Sequence, residues 1–144
     1  MGTFRNVVTI DRPVPDVFAF VSDFQNVPKW NYAITETRQS SPGPVAVGTV
    51  FVQRRQVPKP SEEQFTVTEY APNRRVAIEG TLGPFPARLS YEFEPSDAGT
   101  VVTNTVELQM SGPLRLIGGI AMSRVKKSVA QNLSVLKQLL ETPT

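Results

Sequence analysis

The last thirty residues of the chain, from Gly112 to Glu141, have the pattern of one long amphipathic helix. Apolar residues recur there at steps of three or four, the spacing that places side chains on one face of a helix. A stripe of this length must pack against another part of the fold, and no other predicted helix is long enough to cover a sheet. The residues of the stripe are Leu114, Ile117, Ala121, Val125, Val129, Leu136 and Leu139.

Polar and small residues interrupt this stripe. Ser128 and Asn132 lie one turn apart within it, and Gly118, Gly119 and Ala121 leave the first half of the helix with little side-chain volume. A buried hydroxyl or amide without a hydrogen-bond partner costs about 1–3 kcal/mol. Two interpretations follow. Either a bound molecule or water is the partner, or the two polar side chains bond to a neighbouring strand or lie at the wet edge of the stripe.

Seven strand-like segments precede the helix, and most of them alternate between apolar and polar residues. Turns rich in proline and glycine separate them by short connections, which are typical of hairpins. The alternation predicts an antiparallel sheet with one covered face and one wet face. The predicted strands are residues 4–10, 34–38, 49–57, 64–70, 75–80, 87–94 and 100–110.

Two short helices are predicted between the first two strands. Pro13 and Pro15 suit a first helical turn, and Asp16 complements the positive end of the helix dipole. A second short helix runs to about Val27, and Pro28 limits it. The sequence therefore predicts one α+β domain over residues 1–144. In it a curved antiparallel sheet of six to seven strands wraps around the long C-terminal helix, with an apolar cavity between them.

The composition excludes several kinds of chemistry. The chain has no cysteine and no histidine, so disulfides, thiolate zinc sites, a cysteine nucleophile and a Ser-His-Asp triad are impossible. We expect no cofactor and no metal, since no Asp-rich loop offers an all-oxygen cation site. The net charge of only +2 and the isolated basic pairs argue against nucleic acid as a partner.

The sequence also leads us to expect no targeting signal. No apolar run reaches the roughly 20 residues that span a bilayer. The N-terminal segment MGTFRNVVTI is too short and too polar to be a signal peptide. We therefore expect a cytoplasmic protein, either a monomer or a homodimer, without an integral membrane segment.

Several short motifs, in their order and spacing, resemble one family over nearly the whole chain. The motifs are residues 10–18, Val27-Pro28-Lys29-Trp30, Pro42-Gly43-Pro44 with Val47-Gly48-Thr49, residues 67–75, Tyr91-Glu92-Phe93-Glu94-Pro95, Gly99-Thr100 and residues 132–141. On these motifs the chain resembles the polyketide cyclase/dehydrase and lipid-transport proteins of the START-like (SRPBCC, helix-grip) superfamily. The resemblance implies a hydrophobic-ligand cavity that the loops near Trp30 and Pro84 open or close. Members include aromatic polyketide cyclases, lipid and sterol carriers and quinone-binding proteins.

The candidate ligand contacts come from strand parity, from the helix stripe and from two aromatic residues. Trp30 and Tyr32 follow the second helix, where an aromatic side chain covers a cavity mouth or plugs the core. Ser128, Asn132 and Asn104 are the polar residues that would orient a ligand among apolar walls. The other candidate contacts are Phe51, Gln53, Arg55, Phe65, Ile78, Tyr91, Val106, Leu108, Ile117 and Ala121.

Three titratable residues are candidates for acid–base chemistry. Parity turns Arg55 inward, although the opposite parity would turn Arg54 inward instead. A partly buried guanidinium needs an acid such as Glu69, or a ligand oxygen, as its partner. Glu69 and Tyr91 are the titratable groups that parity places beside it. Glu69 is therefore the candidate base, with Arg55, Tyr91 or Asn104 as the oxyanion donor.

Three functions are compatible with these patterns. The first is binding of a hydrophobic or amphiphilic small molecule between the sheet and the C-terminal helix. The second is a polyketide cyclase or dehydratase that removes a proton next to a carbonyl in the same cavity. The third is a partner-binding domain with a filled core. The fold alone does not choose among them, because one fold hosts many functions.

Overall fold

Seven strands and a long C-terminal helix make up most of the structure. The computed structural model describes residues 2–57, 59–82, 85–109 and 118–142, and of residues 82 and 118–121 it describes the backbone. The predicted helical residues 112–117 therefore lie outside the described residues. The elements are β1 (Gly2–Ile10), α1 (Val14–Ser22), a 3₁₀ turn (Phe24–Asn26), α2 (Val27–Trp30), β2 (Ile34–Gln39), β3 (Val50–Arg55), β4 (Ser61–Ala71), β5 (Arg75–Leu82), β6 (Phe85–Ser96), β7 (Gly99–Leu108) and α3 (Gly118–Glu141).

The strands form one sheet in the order β1-β7-β6-β5-β4-β3-β2. Every neighbouring pair is antiparallel. Strands β2 to β7 follow one another as a meander, and β1 joins the sheet beside the last strand. The predicted α+β fold, an antiparallel sheet with two short helices after its first strand, is thereby confirmed.

Two proline positions differ from the sequence prediction. Pro28 lies in the first turn of α2 rather than limiting the preceding helix. A first-turn proline loses no helical hydrogen bond, so the prediction that Pro28 ends a helix was wrong. Pro86 lies inside β6, although it was predicted to belong to the turn before that strand. The side chain of Asp23 accepts a hydrogen bond from the Gln25 N–H and starts the 3₁₀ turn.

The apolar core lies between the helices and one face of the sheet, which we call the inner face. Buried side chains form two clusters there. The larger cluster joins α1, the sheet and the C-terminal half of α3, and the smaller one joins β1, β6 and β7 with Met122 and Val125 of α3. Leu89 and Val129 pack against both clusters. The inner face and α3 thus define the space in which a site can form.

The buried stripe of α3 differs from the predicted one near its end. Leu133 and Leu136 are almost completely buried, whereas Leu139 is 42% exposed. Leu140, and not Leu139, packs against the core. At 3.6 residues per turn, Leu140 follows Leu136 by about one turn on the same face. The assignment of Leu139 to the stripe was therefore wrong, and the predicted stripe also omitted the buried Leu133.

Three contacts hold α3 along β1. The Asn6 amide donates to the carbonyl of Lys126 (3.3 Å), and the Lys137 ammonium donates to the carbonyl of Thr9 (2.6 Å). At the last turn, the Glu141 carboxylate accepts from Lys137 (2.7 Å) and from the backbone N–H of Asp11 (2.8 Å). These hydrogen bonds, led by that from Lys137, lower the pKa of Glu141. The helix therefore runs along β1, and its end is fixed to the end of that strand.

Candidate functional site

Three polar side chains are linked through Tyr91 on the inner face. Tyr91 of β6 and Asn104 of β7 are register partners, so they share one face of the sheet. The Trp30 indole, at the end of α2, meets the Tyr91 ring edge to face, with centroids 6.3 Å apart and planes at 82°. We call Trp30, Tyr91 and Asn104 the central polar set. All three side chains are buried.

Two atoms of the central polar set lack a hydrogen-bond partner among the residues that the structure describes. They are the indole Nε1 of Trp30 and the amide Oδ1 of Asn104. The amide nitrogen of Asn104 donates only a long bond, 3.3 Å, to the carbonyl of Ser90. An unsatisfied buried donor or acceptor costs about 1–3 kcal/mol. The centre of the inner face therefore offers one unused donor and one unused acceptor in an apolar setting.

Tyr91 adds a hydroxyl to this set. Burial raises the pKa of Tyr91 well above the ordinary value for tyrosine. The phenol therefore stays protonated near neutral pH. In this form it can donate or accept a hydrogen bond. It cannot act as a general base under these conditions, and its chemical role is limited to hydrogen bonding or proton donation.

A second polar group, which we call the ion-pair set, lies at the end of β3 and the start of β4. Arg55 Nε donates to Glu63 Oε2 at 2.8 Å, and Gln53 Nε2 donates to Glu63 Oε1 at 2.8 Å. The side chains of Arg55 and Glu63 are 11% and 4% exposed. Glu63 shares the face of Phe65, so the pair lies on the inner face, whereas Arg54 is exposed.

Sequence reasoning did not identify Glu63 as a candidate. The signal was available, because Glu63 precedes Phe65 and Val67 at period two on the same strand. Thr37 was missed as well. It pairs in register with Gln53 and is buried, and its hydroxyl has no hydrogen-bond partner in the described part of the chain.

The structure contradicts the predicted inward orientation of Glu69. A β-bulge between Val67 and Glu69 reverses the parity of the strand, and Glu69 pairs in register with Ala77. Its carboxylate contacts Arg75 at 3.0 Å and Arg88 at 2.7 Å on the outer face of the sheet. Glu69 therefore lies away from Arg55 and Tyr91, and its assignment as the base loses its geometric basis.

Replacing Glu69 by glutamine is expected to destabilise the protein slightly, and this effect should disappear at acidic pH. The hydrogen bond from Arg75, followed by that from Arg88, lowers the pKa of Glu69. A lowered folded-state pKa stabilises the fold above the unfolded-state value and stops doing so as the pH falls through the folded-state value. Because the side chain is 41% exposed, the effect at pH 7 is about 1 kcal/mol or less.

The difference in unfolding free energy between wild type and Glu69→Gln should shrink progressively below about pH 4.5. Urea unfolding at several pH values measures it. Glu94→Gln, a change at an exposed carboxylate of β6, is the matched control. A difference that stays constant from pH 7 to pH 3 would contradict the role of the two arginines.

The other predicted ligand-contact residues differ in how deeply they are buried. Phe51 and Phe65 stack on the inner face with centroids 5.3 Å apart, and Ile78, Val106 and Leu108 are buried there as well. On α3, Asn132 is buried and Ser128 is half-buried. Tyr32 is 57% exposed, so it does not join the buried sets. Ile117 lies outside the described residues, as does the side chain of Ala121.

Within the part of the chain that the structure describes, no helix is long and apolar enough to cross a membrane. In the same part, no cluster of three or more acidic side chains is arranged to hold a metal ion. The polar chemistry of the inner face thus comes from amide, indole, hydroxyl, guanidinium and carboxylate groups.

The chain belongs to the polyketide cyclase/dehydrase and lipid transport family, whose model matches residues 1–141. This match agrees with the antiparallel sheet and the C-terminal helix. No curated protein matches the chain.

Solved structures with low sequence identity share the fold. TTHA0849 from Thermus thermophilus is 15% identical, with a TM-score of 0.79 and 95% of each chain covered. The di-domain ARO/CYC StfQ from the steffimycin biosynthetic pathway is 13% identical, with a TM-score of 0.79, and the match covers 96% of this chain and 50% of that one. Ara h 8.0201 is 16% identical, with a TM-score of 0.73, and 96% and 97% of the two chains are covered.

Proposed function

We propose that this protein binds a hydrophobic or amphiphilic small molecule, such as a lipid, polyketide, sterol or quinone-like compound, between the inner face of the sheet and α3. The observation that carries the proposal is the pair of buried, unpartnered polar atoms, Trp30 Nε1 and Asn104 Oδ1. Buried polar groups are normally satisfied, so two such unpartnered atoms on the inner face favour a partner outside the described residues.

The chemistry of the central polar set indicates what such a ligand carries. The indole N–H of Trp30 donates to an oxygen of the ligand, and the amide oxygen of Asn104 accepts from a hydroxyl. The Tyr91 hydroxyl does either. The surrounding walls are aromatic and aliphatic, as is usual for small-molecule sites. The fitting ligand is therefore largely apolar, with one or two oxygen functions.

Binding can be followed through Trp30 because it is the only tryptophan of the chain. Titration with dodecanol is expected to change the Trp30 emission in a saturable manner and to raise the melting temperature, since a ligand that binds the folded state stabilises it. Tetradecanol and decanol extend the test to other chain lengths. The absence of any saturable change with these three alcohols would contradict binding of simple amphiphiles.

Replacing Asn104 by leucine is expected to raise the stability of the protein and to weaken ligand binding. The change removes an unsatisfied amide from a fully buried position, so the ligand-free protein should gain about 1 kcal/mol of unfolding free energy. The same change removes a ligand contact, so the affinity for dodecanol should fall about tenfold. Urea unfolding and Trp30 titration measure the two effects.

Thr105→Val is the matched control for Asn104→Leu. It makes a similar polar-to-apolar change on the same strand, but Thr105 points to the opposite face. Its dodecanol affinity should equal that of the wild type. If Asn104→Leu loses stability and keeps its affinity, the amide of Asn104 is a structural group and not a ligand contact.

A second candidate function is cyclisation or dehydration of a conjugated carbonyl compound at the same site. Arg55 and Tyr91 on the inner face, with a Tyr91 phenol that stays protonated, favour it as donors to a developing oxyanion. Because Glu69 lies on the outer face, the carboxylate that remains on the inner face near these donors is Glu63 of the ion-pair set.

If the protein is an enzyme, it should accelerate cyclisation of a linear poly-β-ketone, and the Tyr91→Phe variant should be slower. A pure binder should show no acceleration over buffer.

A further inference from the structure

The exposed face of α3 carries charge of only one sign. Arg124, Lys126 and Lys127 are exposed near the beginning of the helix, and no acidic residue precedes Glu141 at its end. In the part of the chain that the structure describes, none of these three cations forms a salt bridge. The other cation of α3, Lys137, is paired with Glu141 at 2.7 Å. The first half of the helix therefore presents positive charge that neighbouring carboxylates do not balance.

The second half of the same face is uncharged. A surface helix normally has charged and polar residues on its solvent side. Here Val135 and Leu139, one turn apart, are 40% and 42% exposed. Between Lys127 and Lys137 the helix has no charged residue. The exposed positions after Lys127 are Ala130, Gln131, Ser134, Val135, Gln138 and Leu139.

The basic and the aliphatic side chains lie on one side of the helix. They follow one another at steps of three or four residues, the spacing of a single helical face. At 1.5 Å per residue, the stripe that they form is about 22 Å long. It lies on the side of α3 that faces away from the sheet, because its members are exposed. We call it the outer stripe of α3, and its residues are Arg124, Lys127, Gln131, Val135 and Leu139.

The opposite side of the protein, the outer face of the sheet, has a different charge pattern. Arg75 contacts Glu69 at 3.0 Å and Glu92 at 2.6 Å, and Arg88 contacts Glu69 at 2.7 Å. Neighbouring carboxylates thus balance these two arginines. An unbalanced cluster of one sign creates a potential that attracts surfaces of the other sign. The outer stripe of α3 therefore favours a partner with negative charge.

We infer that the outer stripe of α3 docks the protein on an anionic lipid membrane. Arg124 and Lys127 contact the head groups, and Val135 and Leu139 enter the interface. This interaction surface goes beyond the proposed small-molecule site, and docking requires no bound ligand.

The physical reason is the combination of cations with exposed aliphatic side chains on a convex ridge. Each basic side chain near an anionic bilayer raises the affinity about fivefold. Long basic side chains keep their charge at the head groups while their stems lie against apolar surface, and aliphatic side chains gain by leaving water. A fluid bilayer takes up a convex ridge without a matching pocket, whereas an acidic protein would need a groove of the same shape.

The test measures how ligand-free protein sediments with lipid vesicles at about 100 mM salt, where a screening length of about 10 Å limits attraction to nearby charges. Vesicles of phosphatidylcholine and phosphatidylglycerol in equal parts should bind wild type, and vesicles of phosphatidylcholine alone should not. Replacing Arg124 and Lys127 together by glutamine should lower the affinity for the mixed vesicles about twentyfold to thirtyfold, the product of two fivefold effects.

The matched control is the double variant Arg54→Gln/Lys59→Gln. It removes one exposed arginine and one exposed lysine, so the net charge changes equally, but both residues lie outside α3. This variant should keep the affinity of wild type. If the two double variants lose affinity equally, net charge explains binding and the inference is wrong. The inference also fails if wild type does not sediment with the mixed vesicles.

A fluorescent label reports which side of the protein faces the membrane. The chain has no cysteine, so Val135→Cys provides a unique attachment site for an environment-sensitive dye such as acrylodan. The mixed vesicles should shift its emission to shorter wavelengths. Val7→Cys, the same change at a position of β1 that is 61% exposed, should give no shift. A shift at position 7 and none at position 135 would mean that another side docks, and it would overturn the inference.

The label measurement also covers the case in which the Arg124→Gln/Lys127→Gln variant does not fold, because it keeps both cations. Poly-glutamate then distinguishes a membrane from an acidic polypeptide. If wild type binds poly-glutamate and not the mixed vesicles, the partner is an acidic chain and the inference is wrong. Because no small molecule enters these measurements, their failure leaves the proposed function standing, and a failure of dodecanol binding leaves this inference standing.

Discussion

Replacing Arg55 by methionine is expected to lower the free energy of unfolding by about 3–5 kcal/mol, because it removes one partner of a buried ion pair. The side chains of Arg55 and Glu63 are 11% and 4% exposed and meet at 2.8 Å. Methionine restores much of the apolar volume of arginine, so the main loss is electrostatic. The change deprives the buried Glu63 carboxylate of a guanidinium that balances its charge. Urea unfolding followed by Trp30 emission measures the effect.

Arg54→Met is the matched control for this prediction. It is the same substitution one residue away, at an exposed position, so its effect should stay within about 0.5 kcal/mol. The double variant Arg55→Met/Glu63→Leu should be less destabilised than the sum of its single variants, since a buried ion pair can be replaced by apolar residues at little net cost. If Arg55→Met lowers the free energy of unfolding by less than about 1 kcal/mol, the ion pair between Arg55 and Glu63 is screened by water as a surface pair is, and the prediction is wrong.

Replacing Gly99 by alanine is expected to destabilise the fold by about 3 kcal/mol or more, through backbone strain and direct overlap. Gly99 opens β7 with a φ of +119°, a conformation that residues with a side chain rarely adopt. A β-carbon there would overlap the carbonyl oxygen of Ile10 and lie 2.8 Å from the Arg12 nitrogen. Backbone atoms on the β1 side cannot rotate away, so the hairpin between β6 and β7 must shift.

The Gly48→Ala variant distinguishes the cost of backbone strain from the cost of steric overlap at the new β-carbon. Gly48 has a φ of +96°, but a β-carbon there meets nothing within 4 Å. Its substitution should therefore cost about 1 kcal/mol, the strain alone. Thermal and urea unfolding of both variants measure the difference. Equal destabilisation of Gly99→Ala and Gly48→Ala would contradict the close contact between the β6–β7 turn and the end of β1.

Much of the fold was predictable because its signals are local. Period-two alternation and turn residues predicted all seven strands, and helical spacing predicted the C-terminal helix with its buried Leu136. The errors have local causes as well. Pro28 is equally compatible with the end of one helix and the first turn of the next. Leu139 and Leu140 are adjacent, so the stripe could not be assigned from spacing alone.

The candidate site was less predictable because it depends on register. Parity applied along β3 grouped Gln53 with Arg55, and the two share the inner face in the structure. The same rule failed for Glu69, since the bulge after Val67 inserts one residue that alternation does not reveal. The partner of Arg55 could therefore not be chosen between the acids of β4 before the strands were paired.

The sequence by itself determined the element types, their order, the antiparallel sheet and the need for a long helix to cover it, since these follow from periodicity and turn chemistry within short windows. Only the tertiary structure decided that Glu63 pairs with Arg55, that Glu69 lies outside, and that Trp30 meets Tyr91 beside Asn104. The physical reason is that cross-strand register and burial arise from contacts between residues far apart in the chain, which no local pattern encodes.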